Sequence, residues 1–456
     1  MNKKRLIFIA ALCFCFSAGR AQRLWTLEDC IEHAIAHNIT IKQIEIQQET
    51  AEINLNTSQM SRLPDLNASV GQNWSFGFSS SRTGLNATQN QSSSSFSIGS
   101  SVPVFTGFRI PNEIARNKLE LQAATESLEK AKEDLSLNIA SLFLQVLFKK
   151  ELLNVAQEQL NLSRTQVEKT KSLVEAGKAP QSQLYDMEAQ TANDEVSIIE
   201  AKNNVALALL DLAQSLELEH ETSFDIQAPE VKNVIEEYMS SVQPPQIIFD
   251  NAQRIKPVIK EKQYRIESAE RSLGIAQSGY LPTLNLSLGY NTGYYFIYNQ
   301  DDYLDPATGA MRSPNSPFST QFKENGREYI GLSLSIPVFN RFSVRNQVRS
   351  AKININNQQL ELDNTRKALY KEIQTAYLNA TAAQEKYRAS DKAVKAASES
   401  FKYAQERYEV GKSSVFEFNE AKTKWMQSQS EQIQAKYDYI FRTKILDFYN
   451  GTPLEL

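Results

Sequence analysis

The sequence carries one strand-forming segment twice, as LPDLNASVG at residues 63–71 and as LPTLNLSLG at residues 281–289. Six of the nine positions are identical at an offset of 218. A second pair, VPVF at 102–105 and IPVF at 336–339, repeats at an offset of 234. These co-linear matches predict two structurally equivalent halves. The change of offset places one insertion between the matched blocks, in the polar stretch 297–328 of the second half.

Around these repeats, four segments alternate apolar residues with small polar ones, which is typical of β-strands. We expect strands at about 63–78, 94–105, 281–298 and 329–339. Their polar faces carry Ser, Asn and Gly rather than Lys and Glu, and their aromatic residues gather near both ends. A soluble half-buried sheet also alternates. The aromatic bands and the uncharged polar face favour the strands of a membrane β-barrel, which face lipid with apolar side chains.

Four strands are too few to close such a barrel, and open strand edges are not tolerated in lipid. Because transmembrane barrels begin at eight strands, several chains must each contribute four. A dimer would give eight strands and a trimer twelve. Eight-stranded barrels fill with side chains, whereas a face of Ser, Gly and Asn predicts a wider lumen. The pattern therefore favours a homotrimer with a 12-stranded barrel.

Long helices follow each pair of predicted strands, at 108–175 and 181–216 in the first half and at 342–409 and 415–448 in the second. Apolar residues recur every seven positions along the longest helices, as in a coiled coil. In the first half these positions are Ile139, Val146, Leu153, Leu160, Val167 and Val174. A helical bundle or a filament rod would show the same helix pattern. With the strands, the pattern predicts a mainly α fold with a small β part, a duplicated helix, β-hairpin and long helical hairpin.

The segment 1–21 has the basic start, apolar run and small-residue end of a cleaved signal peptide, so we expect export. The remaining chain divides into a first repeat at 22–216, a linker at 217–245 and a second repeat at 246–456. Only one cysteine, Cys30, follows the signal peptide, which excludes an intrachain disulfide in the exported protein. The net charge of −4 does not favour binding to nucleic acid.

Few signals of catalysis are present. His33 and His37 lie one helical turn apart, but no HExxH motif and no third ligand accompany them. The sequence contains no phosphate-binding loop and no GxSxG motif. We therefore expect no enzyme activity, no metal and no cofactor.

The sequence resembles the TolC family of outer-membrane efflux proteins over essentially the whole exported chain. The resemblance rests on the strand-to-helix junctions at 102–108 and 336–342 and on two turns, EAGKAPQSQLYDME at 175–188 and EVGKSSVFEFNEAK at 409–422. It implies a trimeric outer-membrane barrel continued by a periplasmic α-helical barrel. It also implies two partners, a periplasmic adaptor and an inner-membrane transporter of the RND or ABC type.

In that family, acidic side chains six and nine residues after the turn glycine ring a periplasmic constriction. The corresponding positions are Glu417 and Glu420 after Gly411, and Gln183 and Asp186 after Gly177. Three subunits would bring Glu417 and Glu420 together as six carboxylates, a ring that attracts cations. Alternatively, both are ordinary acids of a helix first turn.

The resemblance also assigns adaptor contact to the two turns. The candidate residues are Gly177, Lys178, Val410, Gly411 and Lys412. The second turn keeps the Val-Gly pair of the family but departs from its usual third residue at Lys412. The implied function is a passive exit duct for efflux. Type I protein secretion is an alternative, and a periplasmic adaptor or structural coiled-coil protein is a rival of another class.

Overall fold

The computed structural model describes residues 24–80, 86–88, 90–218, 224–229, 243–298, 302–304, 307–313, 315–452 and 454. The predicted signal peptide and most of the linker lie outside these residues. The chain divides into two compact units. A helical unit comprises described residues of 24–48, 124–262 and 361–454, and a sheet unit comprises those of 49–123 and 263–360. The prediction of a mainly α fold with a small β part is confirmed.

The elements follow the same order in both halves, except that a short helix, Phe318–Glu324, stands before the last strand of the second half. The first half contains β1 (Leu24–Trp25), α1 (Leu27–His37), α2 (Ile39–Met60), β2 (Asn67–Ser75), β3 (Phe78–Ser80), β4 (Asn86–Thr88), β5 (Asn90–Phe105), α3 (Arg109–Glu175) and α4 (Gln181–Ser215). After β6 (Asp225–Ile226), the second half contains α5 (Pro245–Ile255), α6 (Pro257–Ser278), β7 (Thr283–Tyr298), β8 (Tyr303–Leu304), β9 (Met311–Arg312), α7 (Phe318–Glu324), β10 (Arg327–Ser335), α8 (Ser343–Glu409) and α9 (Val415–Asn450).

The helical stretch that opens each half is broken once, at equivalent positions that the sequence pattern did not predict. Asn38 separates α1 from α2, and its side-chain Oδ1 accepts hydrogen bonds from the backbone N–H groups of Thr40 and Ile41. Lys256, at the same offset of 218, separates α5 from α6. There the break follows from Pro257, which has no N–H to donate and disfavours helical geometry in the residue before it.

The four long strands form one antiparallel sheet in the order β10-β7-β5-β2, so the two halves meet where β5 pairs with β7. One row of paired residues is Leu332, Leu286 and Val102, and the next is Gly331, Ser287 and Ser101. Since neighbouring rows point to opposite faces, one face is apolar and the other small and polar. The strand expected at 329–339 ends at Ser335, two residues before Pro337, which cannot donate to a ladder.

Half of the predicted heptad positions of α3 are buried, namely Ile139, Val146 and Leu160, and the other three, Leu153, Val167 and Val174, are half-buried. Buried positions of α8 recur at alternating spacings of three and four residues, at Ile373, Ala376, Ala380 and Ala383 and again at Ala397 and Phe401. In α3, Ile139 and Val146 are fully buried in a core that also includes Cys30 and Leu212. Burial raises the pKa of the Cys30 thiol to about 12, so this thiol stays protonated. Among the described helices, none is long and apolar enough to cross a bilayer.

The junction from strand to long helix uses left-handed backbone in both halves. Gly107 and Phe108 have φ of +63° and +67°, and Arg341 and Phe342, at the offset of 234, have φ of +56° and +62°. A Cβ at position 107 would lie 2.8 Å from the carbonyl oxygen of Ser278. The first junction therefore requires glycine for two reasons, whereas the second accommodates a side chain at Arg341.

We expect Gly107→Ala to lower the free energy of unfolding by about 1–2 kcal/mol from left-handed backbone strain alone, with the Ser278 contact adding to it. Arg341→Ala is the matched control, because position 341 already carries a Cβ at a similar φ. In denaturant unfolding of the two purified variants, the midpoint should be lower for Gly107→Ala than for Arg341→Ala. Equal midpoints would show that the junction relaxes to accept a side chain at position 107.

Candidate functional site

Each long helical hairpin ends in a glycine turn. Gly177 and Gly411 have φ of +68° and +72°. The N–H of Lys178 donates to the carbonyl of Leu173 at 2.8 Å, and that of Lys412 donates to Arg407 at 2.8 Å, so both turns are Schellman caps. A helix-terminating role therefore accounts for both glycines, whatever else the turns do. The candidate contact residues around them are exposed, and Val410 is 67% exposed.

The second turn leads directly into the candidate acids. Ser414 caps α9 by accepting a hydrogen bond from the N–H of Glu417 at 3.2 Å. The hydroxyl of Ser413 donates to the Glu417 carboxylate, and this bond holds the pKa of Glu417 below its usual range, with Arg407 contributing at 4.0 Å. Glu420 is exposed one turn further along α9. Both acids are thus free to face solvent.

The corresponding positions of the first repeat lie in the first two turns of α4, where Gln183 is half-buried and Asp186 is exposed. One apolar cluster connects the two turns: Met187 of α4 packs with Tyr408 of α8 and Phe418 of α9. Because Met187 follows Asp186 and Phe418 follows Glu417, this cluster brings the N-terminal ends of α4 and α9 close together within one chain. A second link is the ion pair between Lys169 and Glu409, at 2.8 Å.

Eleven residues beyond Gly411 lies a buried ion pair that the sequence analysis missed. Lys422 Nζ of α9 donates to Asp194 Oδ2 of α4 at 2.8 Å, and each side chain is only 2% exposed. Ser163 of α3 accepts from Lys422 and donates to Asp194. The other carboxylate oxygen accepts from Gln159 and Gln190 at 2.7 and 3.0 Å. This polar network joins the two hairpins through a charge pair removed from water.

The signal for this pair is visible in the heptad pattern. Lys422 follows Val415 by seven residues, and Asp194 follows Met187 by seven, and all four positions are buried. A charged residue at a seam position is unusual in a coiled coil and costs stability unless it finds a partner. Complementary charges at seam positions of two different hairpins therefore predict a contact between them.

Both the sequence and the fold of this chain are similar to those of known proteins. The sequence matches the family model of the outer membrane efflux proteins over residues 30–217 and 249–449. Outer membrane protein TolC of Escherichia coli (strain K12) is 21% identical over 411 residues, which cover 90% of this chain and 78% of that protein. Among solved structures, CusC has a TM-score of 0.75 at 16% identity, covering 94% of this chain and 92% of its own. The CmeC outer membrane channel of Campylobacter jejuni has a TM-score of 0.71 at 18% identity, covering 93% and 86%.

The two solved structures share the fold of this chain, and the family model, which covers most of the chain, defines its class as the outer membrane efflux proteins. The chain belongs to the outer membrane efflux protein family. The predicted family, outer-membrane location and function in efflux are thereby confirmed.

Proposed function

We propose that three copies of this chain form a passive exit duct across the outer membrane. Its strands would close a 12-stranded barrel, and its long helices would form the periplasmic part. Substrates would be delivered by an inner-membrane transporter of the RND or ABC type through a periplasmic adaptor. The duct would conduct without catalysing a reaction.

The four-stranded sheet carries this proposal. Within the described part of the chain, its outer strands, β10 and β2, each pair on one side only, and edges of this kind must be paired in lipid. Ile330 and Leu332 on β10 and Val70 on β2 are between 67% and 83% exposed on the apolar face. Joining β10 of one copy to β2 of the next would satisfy the edges and give lipid a continuous apolar surface.

The opposite face suits a water-filled lumen. Ser69, Ser97 and Asn291 lie in one paired row of this face. The Tyr329 hydroxyl reaches the backbone of Gly99 and Gly289, where a Cβ would lie 3.4 Å and 2.8 Å from it. Uncharged hydroxyl and amide groups would wet the wall without selecting strongly for the charge of the substrate.

At the periplasmic end, we propose that Glu417 and Glu420 form the constriction, with Asp186 and Gln183 beside them. The adaptor would contact the exposed turn residues, which are Gly177, Lys178, Val410, Gly411 and Lys412. The apolar cluster that connects the two turns supports this arrangement, because it would let engagement at one turn move the other.

The proposal is tested by expressing the full chain and separating the outer membrane. We expect a trimer in that fraction, with migration on gels that changes on heating, and ion conductance after reconstitution into planar bilayers. Chemical cross-linking should saturate at three subunits. Recovery of the chain only as monomeric, non-membrane protein would contradict the duct.

A further inference from the structure

Strand β7 extends well beyond its neighbour β10. The first residue of β10, Arg327, pairs with Asn291, whereas β7 continues to Tyr298. On the side of β10, the backbone of β7 beyond Asn291 therefore has no strand partner among the residues that the structure describes. Unsatisfied backbone groups at the edge of a membrane sheet are costly, so something must replace the missing strand.

Three side-chain amides from the segment 315–325 take its place. Asn325 Nδ2 donates to the carbonyl of Gly293 at 2.7 Å. Gln321 donates to the carbonyl of Tyr295 at 2.9 Å and accepts from its N–H at 3.0 Å. Asn315 does the same at Ile297, at 2.8 Å and 2.7 Å. These bonds reach alternate residues of β7, as a paired strand would. We call them the amide ladder.

The amide ladder fixes helix α7 beside the sheet. Seven residues are too few for a helix to be stable alone, so its position depends on what it docks against. Gln321 is only 4% exposed, and its amide also donates to the carbonyl of Ser316 at 2.8 Å. Thr292 Oγ1 donates to the carbonyl of Phe322 at 2.6 Å, a further link from β7 to the helix.

Docked in this way, α7 places two rings over the apolar face of the sheet. Phe318 and Phe322 contact Phe96 with ring centroids 6.2 and 5.5 Å apart, and Phe318 contacts Tyr294 at 5.4 Å. Tyr294 and Phe96 share the face of Tyr290 and Ile98, because residues two apart along a strand point to the same side. The outward part of Phe318 remains open, with the residue 50% exposed.

We propose that α7 is a lipid-contacting element, which meets the outer-leaflet lipids where their acyl chains reach the headgroups. This inference rests on the proposed function, since it requires the apolar face to meet lipid. We infer lipid as the partner of α7 because the aromatic rings of α7 continue the apolar face of the sheet at its edge. The rest of the helix surface is polar and exposed, at Ser319, Lys323 and Glu324. Aromatic rings beside such polar groups are typical of membrane interfaces.

Nitroxide labels report which medium surrounds a residue. In a Cys30→Ala background reconstituted in phospholipid vesicles, Phe318→Cys, Leu332→Cys and Ser319→Cys would each be labelled and tested for collision with oxygen and with a water-soluble nickel chelate. We expect the oxygen-to-nickel ratio at 318 to exceed that at 319 several-fold and to lie below that at 332, which is on the apolar face of β10 and farther from the rim.

A ratio at 318 equal to that at 319 would place α7 in water and overturn the inference. A label at 318 that collides with neither reagent would mean that a second copy covers the helix, which would also overturn it. If position 332 itself proved accessible to nickel, the proposed orientation of the sheet would fail instead.

The role of the amide ladder is tested by adding Gln321→Leu to the 318 label. We expect the label to become mobile and its oxygen-to-nickel ratio to fall toward that at 319. Thr320→Val is the matched control, since it makes a neighbouring side chain of α7 apolar and leaves the ladder intact. An unchanged spectrum with Gln321→Leu would show that the ladder does not position the helix.

Discussion

Replacing Lys422 with Met is expected to lower the free energy of unfolding by about 3–5 kcal/mol, because it leaves the Asp194 carboxylate buried without its cation. Both side chains of the pair are 2% exposed, so water cannot solvate the remaining charge without opening the packed helices. Asp194→Leu should have a similar effect by stranding the ammonium group. Thermal unfolding in detergent at a fixed protein concentration would measure both.

The double variant Lys422→Met with Asp194→Leu shows how much of the lost stability comes from an unpaired buried charge and how much from altered packing. Removing both charges together often restores stability, since the desolvation of each ion then disappears. We expect it to be more stable than either single variant. Lys424→Met is the matched control, because Lys424 lies two residues away on α9 and is exposed. If the single variants unfolded like this control, the buried pair would contribute nothing measurable to stability.

Much of the fold could be read from the sequence, because the duplication constrains it twice. The helix bounds 109–175 and 343–409 differ by the offset of 234, and α1 and α5 differ by 218. Heptad spacing and period-two alternation are local sequence patterns, so they can be recognised without knowing which segments pack against each other. The break at Asn38 was not predicted because it depends on a side-chain cap. The break at Lys256 was not predicted either, although Pro257 marks it in the sequence, since helices usually end at or before the residue that precedes a proline.

The tertiary features were harder to predict for a different reason. Asn315, Gln321 and Asn325 are ordinary loop amides in the sequence, and only the extra length of β7 gives them a backbone edge to bind. Lys422 and Asp194 were overlooked because charged residues on helices are usually solvated. The candidate acids came from resemblance to a family, and a ring of carboxylates exists only when several chains meet.

Neutralising Glu417 and Glu420 together, as Glu417→Gln with Glu420→Gln, is expected to weaken block of the channel by divalent cations about tenfold or more. One carboxylate about 7 Å from a divalent cation attracts it by roughly 1 kcal/mol in water. A trimer would lose six such charges, and salt would screen part of the loss. Current through single channels in planar bilayers, titrated with Mg²⁺, measures the change.

Two further variants show whether the change in Mg²⁺ block comes from the charges of Glu417 and Glu420. Glu431→Gln removes an exposed acid further along α9 and should leave the block unchanged. Ser413→Ala removes the hydroxyl that lowers the pKa of Glu417. In the unaltered chain the Glu417 carboxylate should stay charged, and the block persist, until the pH falls through that lowered pKa. In the Ser413→Ala variant the block should be lost at a higher pH. If neither the double variant nor the acid titration altered the Mg²⁺ block, these glutamates would be ordinary acids of the first helical turns, and the constriction would have to lie elsewhere.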